Sequence, residues 1–147
     1  MTRMRPSATA FCALNATTIG ADMTDPIDPA LYADLAVKHG ARMPPESEVF
    51  LRKGWVPLVD RMMTGLARDY PDVRILGIVS ATWLQVDYSL PSGGNHDWVR
   101  HLSFDKWLQG FVTESLSTCE CCASGFGRER SNHRVVCDEC EEASCDA

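Results

Sequence analysis

The sequence predicts an α+β fold: two amphipathic helices packed on a small antiparallel sheet, followed by a compact cysteine-rich module. Three observations carry this expectation. Apolar residues recur at helical spacing in two separate segments, and the stretch between them switches to a two-residue alternation. Five of the seven cysteines then fall between Cys119 and Cys140.

Taken in order, the first element is a short helix over ALYADLAVKHG. Asp28 stands as its N-cap, Pro29 at its first position and Gly40 as its stop, and Leu31, Leu35 and His39 share a face. Pro44-Pro45 breaks the chain, and a helical turn ends at Gly54. WVPLVDRMMTGLARDY is the first strong helix, with Leu58, Val59, Met62, Leu66 and Tyr70 on one side and Asp60, Arg61 and Arg68 elsewhere. VRILGIVS is rich in β-branched residues, and in ATWLQVDYSL the residues Leu84, Val86, Tyr88 and Leu90 alternate with Trp83, Gln85, Asp87 and Ser89. That is the pattern of two half-buried strands. PSGGN is a loop, and a second strong helix is predicted from Ser103, its cap, to about Leu116. Its apolar stripe is Phe104, Trp107, Leu108, Phe111 and Val112. The roles of Trp55, Trp83 and Trp98, core or contact surface, are not set by this pattern.

An apolar fraction of 45% and a charged fraction of 23% are those of a soluble globular domain. A net charge of −6 argues against a general nucleic-acid coat, since such affinity comes from cations neutralising phosphates. No run approaches the roughly 20 apolar residues of a membrane helix. The expected organisation is a disordered or over-extended N-terminus at 1–25, an α+β body at 26–118, a metal-binding module at 119–142 and an acidic tail at 143–147. The N-terminus imitates a secretory signal only loosely, so a cytoplasmic address is expected, where thiols stay reduced.

Cys119 and Cys122 form one C-x2-C pair and Cys137 and Cys140 another, with 14 residues between them. Two-residue spacing lets both thiolates of a knuckle face one ion, and two knuckles supply the four ligands of a closed tetrahedral zinc site. The expected cofactor is therefore a structural Zn2+ on Cys119, Cys122, Cys137 and Cys140, in a zinc-ribbon or treble-clef-like knuckle. Cys121, Cys145 and His133 stand near enough to exchange with a regular ligand, and a pair of disulfides is the alternative use of the thiols. Cys12 has no place in either scheme. Gly125 and Gly127 give the backbone freedom to reverse after the first knuckle. Four thiolates leave no open coordination position, and neither HExxH nor a deaminase signature is present.

From Gly54-Trp55, through DVRILGIVS and a second strand, to ESLSTCECC and VVCDEC, the chain resembles a family of small uncharacterised proteins of bacteriophages and bacterial genomes. The resemblance spans about residues 54–142. Its closing C-x-x-C and C-D-E-[CH] motifs map onto Cys119, Cys122, Cys137 and Cys140, and it implies the metal site and the architecture but no activity. Two departures stand out: IVSATWLQVDY replaces a basic, glycine-containing turn, and Ala123 stands where a glycine commonly follows the first knuckle.

These readings lead to a small zinc-stapled binding protein, a phage or prophage accessory factor acting through protein–protein contacts. Arg128, Arg130, His133 and Arg134 are its candidate partner-binding residues. The alternative is a nucleic-acid-binding module using Arg128, Arg130 and Arg134, which the surrounding Glu120, Glu129, Asp138, Glu139, Glu141 and Glu142 disfavour. A hydrolytic enzyme around His96, Asp97 and His101 ranks below both, since no nucleophile is paired with a base there. In a purely structural reading the zinc completes a small core and contacts lie on the N-terminal helices.

Overall fold

The computed structural model describes residues 25–91 and 97–145. Among them the fold is α+β. Helix α1 (Pro29–His39) begins where Asp28 accepts hydrogen bonds from the backbone N–H groups of Ala30 (2.8 Å) and Leu31 (3.4 Å). It ends at Gly40, whose φ of 57° lies in the left-handed region that glycine tolerates. Two 3₁₀ turns, Glu46–Glu48 and Lys53–Trp55, flank the two-residue strand β1 (Val49–Phe50). Helix α2 (Val56–Asp69), strands β2 (Arg74–Ser80) and β3 (Leu84–Ser89), and helix α3 (Asp97–Ser115) complete the body.

Two expectations are corrected here. The segment before Gly54 contains a strand as well as helical turns, and β1 pairs in parallel with β2 (Val49 opposite Ile78), so the sheet is mixed rather than wholly antiparallel. A strand of two residues is too short to display alternation, and only its neighbour in space makes it one. Helix α3 also begins near Asp97, well before Ser103. Trp98, Val99 and Leu102 in its first turns are exposed, so that part of the helix has no core-facing stripe to betray it. Ser103, expected as the cap, instead lies inside the helix with its hydroxyl 2.9 Å from that of Tyr70.

The β2–β3 pair is antiparallel, with a bulge that leaves Leu76 as the extra, exposed residue. Beyond it, Ile78 and Ser80 face inward opposite Val86 and Leu84. The α2 stripe of Leu58, Val59, Met62, Met63 and Leu66 and the α3 residues Phe104 and Leu108 bury against this face, forming one core with Trp55 and Leu35. Tyr70, Tyr88, Phe104 and Trp107 close an aromatic cluster between α2, β3 and α3, with ring centroids 4.6–5.5 Å apart. Trp107 also lies over Gly65, where a Cβ would come within 3.0 Å of its ring. No helix among the described residues is long and apolar enough to cross a membrane.

Candidate metal centre

The cysteine module is built on the end of α3. After the turn at Cys119–Cys122 the chain forms a hairpin, β4 (Arg128–Glu129) against β5 (Val135–Val136), and then a one-turn helix, α4 (Asp138–Glu142). Cys137 sits at the N-cap of α4 and Cys140 within it, so helical spacing turns both thiols towards the first knuckle. In the knuckle, the Cys119 N–H donates to the Ser124 carbonyl (2.7 Å) and the Ala123 N–H to that of Cys119 (3.0 Å). Ala123 carries a φ of 65°, the conformation the glycine of a typical knuckle would supply.

Two glycines admit this turn to the rest of the fold. A Cβ on Gly54 would collide with the carbonyls of Cys119 and Glu120, and one on Gly127 would lie 2.6 Å from the Cys119 nitrogen. Gly127 is therefore needed for close approach; its φ is not in the positive region. Gly54 donates its N–H to the Glu120 carbonyl (2.8 Å), and the buried Trp55 indole donates to that of Thr118 (2.7 Å). The Gly54-Trp55 pair is the seat on which the knuckle rests.

The sulfur atoms of Cys119, Cys122, Cys137 and Cys140 all lie within 4.8 Å of one another, positioned to bind a metal ion. Cys122 and Cys137 are 3.7 Å apart, close to the edge of about 3.8 Å that a tetrahedron of ~2.3 Å metal–sulfur bonds requires. Burial works to raise the Cys119 thiol. The backbone N–H groups of Cys122, Cys137 and Cys121 outweigh it and bring the pKa down to about 7. Hydrogen bonding to the Cys137 and Cys122 thiols, with burial, pushes Cys140 up to about 12. The cluster thus shares protons among crowded sulfurs, which is the arrangement a divalent cation resolves by displacing them.

The remaining candidates fall elsewhere. Cys121 is not one of the four clustered thiols and forms a disulfide with Cys145, their Cα atoms 6.3 Å apart. His133 is exposed in the hairpin turn, where its Nδ1 lies 2.9 Å from Glu129. Cys12 lies outside the described residues. Glu120, between the two knuckle cysteines, was not singled out from the sequence as a site residue. Its side chain is only 1% exposed and receives Arg134 Nε and the Val135 N–H (3.4 Å), with Arg52 Nε at 3.4 Å. A carboxylate at a buried turn position is invisible to spacing rules, and its partners come from residues distant in sequence.

The four basic candidates do not form one open face. Arg130, 12% exposed, reaches Asp138 (2.7 Å) and Glu141 (2.7 Å), and Arg128 joins it on Asp138 (2.6 Å). Arg134 turns inward to Glu120. Of the proposed catalytic neighbourhood, His96 lies outside the described residues, as does the side chain of Asp97. His101 stands 3.5 Å from Asp105, and the Tyr88 hydroxyl donates to that same carboxylate. Burial and this hydrogen bond push Tyr88 up to about 12, so its phenol remains a donor at neutral pH. No family model matches the chain, and the comparisons with curated proteins and with solved structures return no match.

Proposed function

We propose that this protein is a zinc-stapled binding module in which Cys119, Cys122, Cys137 and Cys140 hold a structural Zn2+ and the folded tail engages a protein partner. The observation that carries the reading is the convergence of four thiols from two C-x2-C pairs within 4.8 Å. An all-thiolate, four-coordinate set is characteristic of structural zinc and has no position left for substrate or water. Knuckle, hairpin and short helix follow one another as in a treble clef, with the second ligand pair at the start of the helix. A protein partner is favoured over nucleic acid because the module neutralises its own arginines, whereas Phe126 at the tip between knuckle and hairpin is 87% exposed. We further read it as a cytoplasmic accessory factor of the phage or prophage type, on the resemblance of residues 54–142.

Metal analysis of the full chain, purified without added metal, tests the first part. About one zinc per chain is expected, lost in the Cys137→Ser, Cys140→Ser double variant; metal-free, folded wild type refutes the zinc reading. Anisotropy of a labelled oligonucleotide tests the second. Tight binding that weakens steeply with salt would favour the nucleic-acid alternative.

A further inference from the structure

The disulfide and the cleft beside it are used by neither the metal centre nor the core. A cavity of about 360 Å³ opens between the start of the body and the back of the knuckle, lined by Leu51, Arg52, Lys53, Glu120 and Arg134 together with Cys121 and Cys145. Arg134 Nη2 lies 3.7 Å from the Cys145 sulfur and 4.0 Å from that of Cys121. Glu120 and Arg52 hold the guanidinium side of the cleft in place. Cys121 is 9% exposed, while Cys145 is half-buried and the more accessible of the two.

We propose that Cys121 and Cys145 form a reversible thiol–disulfide site, separate from the four-cysteine cluster, which exchanges with small thiols through this cleft. The geometry sets the direction of attack. An incoming thiolate reaches the sulfur of Cys145, forming a mixed disulfide there and breaking the Cys145–Cys121 bond. The bonding electron pair leaves on Cys121, the more buried sulfur, and Arg134 Nη2 lies near both sulfurs. A second small thiol attacks the mixed disulfide and releases Cys145. Two small thiols are thereby oxidised to one disulfide, and their two protons are taken up by the two protein sulfurs. Reduction releases Cys145, just beyond α4, from the knuckle, and oxidation ties it back. Sharing no sulfur with the metal cluster, the exchange leaves that cluster intact.

The test uses the full chain equilibrated in glutathione buffers from fully oxidised to fully reduced, quenched with an alkylating agent and mapped by peptide mass spectrometry, with zinc measured on each sample. Cys121 and Cys145 are expected to pass together from unlabelled to labelled as the buffer becomes reducing, with metal content unchanged. Labelling of both in the most oxidising buffer, no labelling in the most reducing one, or disulfides shared with Cys119, Cys122, Cys137 or Cys140 would each overturn the proposal. In Cys121→Ser, Cys145 should carry a single glutathione adduct under oxidising conditions, an adduct the wild type lacks; an unmodified Cys145 would count against access through the cleft. Absence of zinc with paired titration of Cys121 and Cys145 would refute the metal reading and leave this one standing.

Discussion

Ala123 is the residue at which the local backbone and the side chain disagree most plainly. Its φ of 65° costs an L-residue roughly 1–2 kcal/mol relative to the right-handed region, and glycine pays little of that. Ala123→Gly should therefore stabilise the protein by roughly 1 kcal/mol, less the extra entropy glycine carries in the unfolded chain. Denaturant midpoints of the two proteins measure it, and an unchanged or lower midpoint would show that the alanine methyl contributes packing that offsets the strain. Glycine at 127 behaves oppositely. Alanine there places a methyl against the Cys119 nitrogen, and a loss of about 1–3 kcal/mol is expected in the same titration.

At the scale of elements, α1 is tied to α2 through Asp60. Lys38 Nζ donates to one carboxylate oxygen (2.9 Å) and His39 Nε2 to the other (2.6 Å). The Lys38 and His39 hydrogen bonds hold the Asp60 carboxyl below its ordinary value of 3.8. A carboxyl depressed on folding contributes stability that is complete above its ordinary pKa and is lost as pH falls through the native one. Wild type should accordingly lose more stability than Asp60→Asn between about pH 5 and pH 2, and be the more stable at pH 7 by roughly 0.5–1 kcal/mol. Urea midpoints that run parallel for the two proteins would contradict this. The joint between β3 and α3 rests on Ser115, whose hydroxyl accepts the buried Leu84 N–H (2.9 Å) while donating to the Val112 carbonyl (2.6 Å). This serine lies beyond the last apolar residue of the α3 stripe, so no sequence pattern marked it.

For the whole molecule, body and cysteine module share material. Val135 of β5 belongs to the main core, and Gly54, Trp55 and Glu120 bridge the two parts by hydrogen bonds. Binding of a structural metal is folding free energy, so on the zinc reading proposed above its removal should be felt beyond the tail. A strong chelator at neutral pH is expected to lower the melting temperature of the aromatic cluster around Phe104, followed by near-ultraviolet circular dichroism. The fall should be at least about 5 °C, the size of a 1–2 kcal/mol loss in a chain of this length. An unmoved aromatic transition with a disordered tail would show instead that body and module unfold independently.

The cap of α1, the α2 stripe, the alternation of β3 and the pairing of the knuckle cysteines were legible from the residues alone. Each depends on periodicity or spacing within a single segment. Ala123 stood out only against the pattern of the family the chain resembles, and its positive φ is a finding of the structure. The third strand, the early start of α3 and the Cys121–Cys145 pair were not legible, nor was the turning of Arg130 and Arg134 towards acids of their own module. The same holds for the tryptophans: Trp55 is buried beneath the knuckle, whereas Trp83 and Trp98 are exposed. All of these depend on which distant residue arrives alongside. The sequence by itself determined the local elements and the four cysteines that come together as a possible metal site. Only the tertiary structure decided which cysteines were left for each other and which charges were paired within the module, because burial and neighbour contacts exist only once the chain has folded on itself.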